Sequence, residues 1–335
     1  METPDLLTDD GLVVLLLCSS LGCGDEDAPY TLAEWNQLAA KIHGSELKRP
    51  AALAGRAKAD LVATLGIETD EAERIKRLLD RAEKVATELE SLRANGIWAM
   101  TRADPQYPSK LRETLRQQSP SVLFGSGGIG LLKRAGVAVV GSRNVDETGT
   151  LFAREIGRKC AAAKMPVVSG GARGTDRLAM ESALEAGGTA FGVLADSLER
   201  TIRQEDVRQF IQEDRLVLLT PYAPTAGFSV GAAMGRNKVI YGLAESAMVV
   251  SSEFNKGGTW AGAVEALKAG WCPVFVRSGT EMPSGNRELL KRGASALDEA
   301  HLHTIEDLPD WMRANTVARY PEPELFPSTA HERRK

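Results

Sequence analysis

From residue 96 onward, short apolar runs rich in Val, Ile, Leu and Phe alternate with longer stretches of helical composition, and few folds accept that alternation. The apolar runs fall at 97–100, 122–124, 137–140, 167–169, 190–194, 216–219, 247–251 and 274–276. Most are apolar throughout rather than at every second residue, as strands buried on both faces are. Helical runs at 149–163, 176–186, 205–213, 231–244, 259–269 and 286–291 lie between most of them. Strand, helix and strand in repeated succession predict a parallel sheet with helices on both sides. The expected fold class is therefore α/β: an extended, doubly wound, mostly parallel Rossmann-like sheet over residues 96–295.

Residues 1–95 predict a small all-α domain. Apolar Ile75, Leu78, Leu79, Ala82, Val85, Ala86 and Leu89 recur at helical spacing, which predicts one helix over 71–93 stopped by Asn95 and Gly96. The apolar run 12–17 is too short to cross a bilayer. It follows Asp5, Asp9 and Asp10, where a secretion signal carries positive charge, so it predicts a buried first helix and no membrane association. After Asp307 the chain becomes Pro-rich and charged. Residues 296–335 are expected to form a partly disordered extension, with no winged-helix tail after Ala294.

Charge excludes one class of function. The 335 residues carry 41 Lys and Arg against 45 Asp and Glu, a formal net charge of −4, so a uniformly basic nucleic-acid coat is ruled out and a local basic cleft is not. Four cysteines without a CxxC or Cys/His cluster predict free thiols in a reducing cytoplasm. No cofactor or metal is expected. The four histidines lie outside the glycine-rich turns, and no Ser/His/Asp order is present, so no catalytic group is assigned.

Open parallel sheets bind ligands beyond the carboxyl ends of their strands. Three strand-to-helix turns there carry glycine with polar or cationic residues. The first is Gly141-Ser142-Arg143. Glycine admits close approach, Ser142 donates, and Arg143 can fork onto a phosphate. The second is Ser169-Gly170-Gly171-Ala172-Arg173-Gly174-Thr175-Asp176, an anion-binding loop opening a helix, with Asp176 placed to cap or orient it. The third is Lys256-Gly257-Gly258-Thr259, a phosphate nest or, as plainly, a glycine turn with Thr259 as a helix cap. Arg236, Asn237 and Lys238 sit early in a helix of small and apolar residues. Cations there oppose the helix dipole and point to a nearby anion. Together these turns predict a phosphate-reading cleft without GxxxxGK[ST] or GxGxxG.

These motifs in this order resemble the DprA/Smf family of DNA-processing proteins. The resemblance is carried by Gly141-Ser142-Arg143, the turn from Ser169 to Asp176, the segment from Arg236 to Leu243, Gly257–Thr259, and the late segment from Ser284 to Ala294 around Asn286. The stretch from Asp104 to Leu111 resembles the family's approach to its Rossmann domain. The resemblance implies non-enzymatic binding of single-stranded DNA, a homodimer, and transfer of the strand to a RecA-type recombinase. It places DNA phosphates over Gly141–Arg143 and Ser169–Gly174, with Arg203 standing in for a further basic site. Met180 replaces a usual histidine, and Gly257-Gly258-Thr259-Trp260 replaces a Gly-Ser-Leu turn. These departures leave a toxin, nuclease or phage-defence partner open. Two other classes use the same cleft: a mononucleotide sensor, and a LOG-like nucleotide N-glycosidase. The glycosidase requires GGxGTxxE, and here Ala261 and Gly262 follow Trp260 where the glutamate is needed.

Overall fold

The computed structural model describes residues 5–24 and 28–316. The chain opens with α1 (Asp9–Cys18), α2 (Leu32–Gly44), α3 (Lys58–Leu65), α4 (Thr69–Leu79) and α5 (Ala82–Ala94). Val13 to Leu17 are buried in α1, as expected of a first core helix. Among the described residues no helix is long and apolar enough to cross a membrane. The expected single helix over 71–93 is two. Arg81 breaks it by folding its guanidinium inward onto the carbonyl oxygens of Leu78, Leu21 and Leu16, so apolar spacing continues while the axis does not.

The start of α2 has the reciprocal cap its sequence encodes. Glu34 N–H donates to Thr31 Oγ1 at 3.3 Å, and Thr31 N–H donates to Glu34 Oε2 at 2.7 Å. Arg74 Nη1 donates to Glu34 Oε1 at 2.9 Å, and this bond, aided by Thr31, pulls the Glu34 carboxyl down to about 2. A carboxyl held below its unfolded value stabilises the fold above about pH 4.5 and loses that contribution as pH falls toward 2. Glu34→Gln is therefore expected to flatten the dependence of stability on pH between 5 and 2. Urea unfolding across that range reads it.

The second part contains β1 (Trp98–Thr101), α6 (Ser109–Leu115), β2 (Val122–Ser126), β3 (Gly136–Gly141), α7 (Glu147–Ala162), β4 (Val167–Ser169), α8 (Thr175–Glu185), β5 (Ala190–Val193), α9 (Leu198–Thr201) and α10 (Glu205–Gln212). It continues with β6 (Leu216–Thr220), α11 (Val230–Gly242), β7 (Ala244–Ser251), α12 (Gly257–Ala269), β8 (Val274–Ser278), α13 (Ser284–Lys291), β9 (Ser295–Asp298), α14 (Glu299–Leu302) and α15 (Leu308–Ala314). One sheet holds all nine strands in the order β1-β2-β6-β5-β4-β3-β7-β8-β9. β1–β2 and β2–β6 are antiparallel, and every other pair is parallel. The α/β, mostly parallel expectation holds.

Strand residues alternate between two cores, as a pleat requires. Val137, Val139, Val167, Met248 and Val250 face a layer containing Phe152, Ile156 and Ala183. Ala138, Val140, Val168, Ala247 and Val249 face Val239, Ile240 and Ala263. Leu15, Leu16, Val85, Leu89 and Leu92 of the helical part join the first layer, so one core runs across residue 96. Asp104, fully buried, fastens that junction. Its carboxylate accepts from the N–H and hydroxyl of both Thr8 and Thr101 at 2.7–2.8 Å.

Within the expected extension 296–335, the described residues 296–316 are folded against the domain. β9 pairs in parallel with β8, and Leu302, Leu308 and Met312 are buried against the first layer. The charged end at Glu332–Lys335 lies outside the described residues.

Candidate functional site

β3 lies between β4 and β7, which the chain visits in opposite directions of winding, so the sheet's switch point falls between β3 and β7. Their register shifts by one residue at the carboxyl end, between the pairs Val140–Val249 and Gly141–Ser251. The crevice there is bridged by Thr259, whose Oγ1 donates to the Gly141 carbonyl oxygen at 3.0 Å. Asn237 Nδ2 donates to the Gly258 carbonyl oxygen at 3.0 Å. Asn286, fully buried, fixes the far wall. It accepts from Ser252 N–H and hydroxyl and donates to the carbonyl oxygens of Val249, Val250 and Arg277. That accounts for the late motif around Asn286: it sets the end of β7 against β8.

The Ser142–Arg143 turn and the Gly170–Gly174 loop sit against each other. Gly174 has φ +89°, and a Cβ there would lie 2.6 Å from the Ser142 carbonyl oxygen, so only glycine lets the turns close. Arg173 Nη2 donates to Asn144 Oδ1 at 2.9 Å, which holds that exposed cation beside the Arg143 turn. Ser169 is corrected. It is fully buried and donates to the Val139 carbonyl oxygen at 2.6 Å, because as the last strand residue it faces its neighbour strand rather than the crevice.

Arg236 and Asp176 form the floor. Each is 7% exposed. The Gly170 peptide lies between them: its N–H donates to Asp176 Oδ2 at 3.2 Å, and its carbonyl oxygen accepts a long 3.4 Å bond from Arg236 Nη2. A Cβ at Gly170 would overlap the guanidinium. Burial pushes the Asp176 carboxyl above its ordinary value, while Arg236 and the N–H groups of Gly170, Ala172 and Gly141 pull it back. Burial likewise lowers Arg236, opposed by Asp176. Arg236 Nε has no hydrogen-bond partner. A buried guanidinium left partly unbonded is costly, and an anion relieves that cost.

Two cavities meet at this floor. The larger, about 720 Å³, is lined by Arg143, Asn237, Gly258 and Trp260 among others. The smaller, about 280 Å³, is lined by Gly170, Leu194, Asp196 and Phe210 among others. Arg143, Ala172, Phe228 and Arg236 line both and form the partition. Arg143 stacks over the Phe228 ring at 5.2 Å. Phe228, Val230 and Met234 are exposed along the larger cavity and add an apolar strip. Trp260 is buried, meets Phe254 edge-on at 5.2 Å, and has Arg292 over its ring at 5.3 Å.

The remaining cations are placed less uniformly than the sequence implied. Lys256 lines the larger cavity but pairs with Glu253 at 3.4 Å, which reduces its call on an anion. Lys238 lines neither cavity. Ala233, Asn237 and Tyr241 define the inward face of α11, and Lys238 lies about 100° further round. Arg203 lines a separate cavity of about 520 Å³ beside Asn95, Trp98 and Gly127, and it lies 3.9 Å from Glu199 on the outer side of its turn. Arg200, three residues earlier, lines the smaller chamber instead. Sequence reasoning also missed Arg177 and Phe228. Arg177 directly follows the expected turn from Ser169 to Asp176, and Phe228 just before a helix cap was the signal for the other.

The family model of DNA recombination-mediator protein A matches residues 98–308, well over half of the chain. The chain belongs to that family. The motifs from Gly141 to Ala294 anticipated it. The chain is similar to DNA processing protein DprA of Streptococcus pneumoniae, with 31% identity over 156 residues, 46% of this chain and 54% of that protein. It therefore spans about half the length of that relative. The structure of DNA processing protein A from Streptococcus pneumoniae superposes with a TM-score of 0.63 at 20% identity, covering 87% of this chain and 99% of that one. DNA processing protein A of Helicobacter pylori, described for its single-stranded DNA binding mode, gives 0.52 at 23% identity, covering 62% and 94%. At these identities the two structures speak for the fold.

Proposed function

We propose that the crevice binds single-stranded DNA, with phosphates over the Gly141–Arg143 and Gly170–Gly174 turns and bases along the apolar strip. The observation that carries this reading is Arg236, a buried guanidinium with an unpartnered Nε on the floor between two cavities, both of which exposed Arg143 also lines. Backbone N–H groups of the Gly170–Gly174 loop and of Gly257–Thr259 supply neutral donors. Phe228, Val230 and Met234 offer bases an apolar face, which a flexible single strand can reach and a closed duplex cannot. Family membership and the strand-binding relative from Helicobacter pylori support the same ligand. Assembly as a homodimer in the cytoplasm, and protection or transfer of the strand to a RecA-type recombinase during recombination or repair, complete the reading on the strength of the family. Service to a phage-defence or toxin partner is the variant that family departures leave open.

Arg143→Ala tests the phosphate path. Each phosphate neutralised on a single strand contributes a slope of about −0.7 to log K against log salt. The variant is expected to bind more weakly, by a similar factor for all sequences, with a slope shallower by about 0.7. An unchanged slope removes Arg143 from the path.

A further inference from the structure

A third cavity, of about 520 Å³, lies at the seam between the helical part and the sheet and belongs to neither chamber of the crevice. The end of α5, from Ala94 to Gly96, forms one side, and Gly127 and Gly128, after β2, form another. This cavity sits toward the amino end of β6, because a Cβ at Gly127 would overlap the carbonyl oxygen of Leu216, the first residue of that strand. The crevice opens at the carboxyl ends instead. α10 stands between the two: Val207 and Phe210 line the smaller chamber, and Arg208, Ile211 and Gln212 line the seam cavity. No residue of α10 is buried, so the helix divides two spaces rather than filling a core.

Charge on the seam cavity is divided by end. Asp214 lies beside Gly128, where a Cβ would come within 2.6 Å of its Oδ1. The neighbouring cation, Arg215, is engaged by Glu213 at 2.7 Å, and among the described residues no cation pairs with Asp214. The carbonyl end of α5 adds partial negative charge on the same side, since Gly96 faces Ser126 next to Gly127. At the other end Arg208 donates to the Arg203 carbonyl oxygen at 3.3 Å, which turns its guanidinium toward α9. Among the described residues no carboxylate pairs with Arg208, and Arg203 reaches Glu199 only at 3.9 Å. Half-buried Ile129, Ile202 and Ile211 give the space between an apolar lining. Asp214 follows Arg208 by six residues, an axial rise of about 9 Å along α10.

We propose that the seam cavity binds a free peptide of about three residues with an apolar side chain, its ammonium at Asp214 and its carboxylate at Arg208. The inference stands apart from strand binding. An extended chain advances about 3.3–3.6 Å per residue, so three residues set the two termini about 10 Å apart. A single amino acid is too short to reach both ends, and an internal stretch of a protein lacks both charges. A nucleotide satisfies the arginine end but brings Asp214 no positive charge. The volume falls within the range of small-ligand sites, about 300–1,000 Å³, and such sites favour seams between structural units.

Isothermal titration calorimetry of the full chain with the tripeptide Ala-Leu-Ala, its N-acetyl form, its C-terminal amide, triglycine and leucine tests this. Ala-Leu-Ala is expected to bind, and each blocked form to bind about tenfold more weakly, the loss of one charge-assisted contact. Triglycine, which keeps the charges without the apolar side chain, and leucine, which cannot span the site, are both expected to be weaker. Arg208→Gln is expected to weaken the free tripeptide about tenfold and to leave the affinity for the amide unchanged. Asp214→Asn is expected to do the same with the acetylated form. Both substitutions suit the fold: Arg208 is exposed, and asparagine tolerates the φ of 53° that Asp214 adopts. No heat with Ala-Leu-Ala up to millimolar concentration overturns the proposal, as does equal affinity for the free and blocked forms. Leucine binding as tightly as the tripeptide overturns the two-ended site. Adenosine monophosphate binding that Arg208→Gln abolishes, with no heat from the tripeptide, overturns the peptide and assigns a simple anion site.

Discussion

Arg236→Met is expected to weaken single-stranded DNA binding by at least about 30-fold, the lower end of the 2–5 kcal/mol lost when a buried charge contact is truncated. The residue is 7% exposed, and its Nε lacks a partner, so the bound phosphate has no competitor for that group. Exposed Arg143 is hydrated before binding and is expected to cost less. The same substitution has a signature that needs no DNA. Asp176 is already pushed above its ordinary value of 3.8 by burial, and Arg236 is the leading counterweight. A carboxyl whose folded value is raised holds its proton more tightly in the folded chain than in the unfolded one. Its contribution to stability therefore falls as pH rises from about 4 through the raised value, and is level above it. Without Arg236 that fall is expected to be steeper and to reach higher pH, and adding Asp176→Asn is expected to remove it. Urea unfolding between pH 4 and 8 of the single and double variants measures both. A pH profile unchanged by Arg236→Met would contradict the coupling.

Arg277→Ala is expected to cost about 2–3 kcal/mol of stability, because the charge-assisted hydrogen bonds of a fully buried guanidinium are lost while the two carboxylates left behind stay in reach of water. Arg277 is fully buried. It donates to the Val250 carbonyl oxygen at 3.0 Å, to Glu299 at 2.9 Å and to Asp146 at 2.8 Å. Its loss leaves Asn286 as the side-chain donor to the Val250 carbonyl, opens a cavity and frees two carboxylates. Asp146 also caps α7 by accepting from Gly149 N–H, and it ends the turn that carries Arg143. The variant is therefore expected to weaken DNA binding as well as lower the melting temperature. Calorimetry and strand titration on one preparation read the two losses. A loss below about 1 kcal/mol would show that the network is hydrated in solution.

The strands were legible where both faces are buried, because an apolar run such as Val137–Val140 leaves little else for the chain to do. β9 escaped notice because it is a short edge strand with Ala296 exposed between buried Ser295 and Leu297, and with polar Ser295 and Asp298 at its ends. α6 is a single charged stretch of seven residues, too short for a period to show. The break between α4 and α5 was invisible because Arg81 acts through its side chain while the apolar spacing continues across it.

At the site, the glycine turns were legible because their conformations demand glycine. Gly174 is the clearest case, with two carbonyl oxygens in the place of its Cβ. Which neighbour faced inward was not legible. A strand turns successive side chains to opposite faces, so Ser169 points into the sheet beside a loop that lines the crevice. Lys238 is lost to the cleft by one helical step, and Arg203 by a turn that presents Arg200 instead. Phe228 sits in irregular chain before α11, where no period marks a side chain as exposed on purpose.

In the proposed function this crevice binds single-stranded DNA through consecutive phosphates. Fluorescence anisotropy with labelled single-stranded and duplex oligonucleotides across a range of salt, with mononucleotides as competitors, tests it most directly. The single strand is expected to be preferred, with a salt slope of about −2 for the three phosphates that Arg143, Arg173 and Arg236 neutralise, and with no displacement by thymidine monophosphate. Equal affinity for duplex, or binding that does not respond to salt, would contradict it.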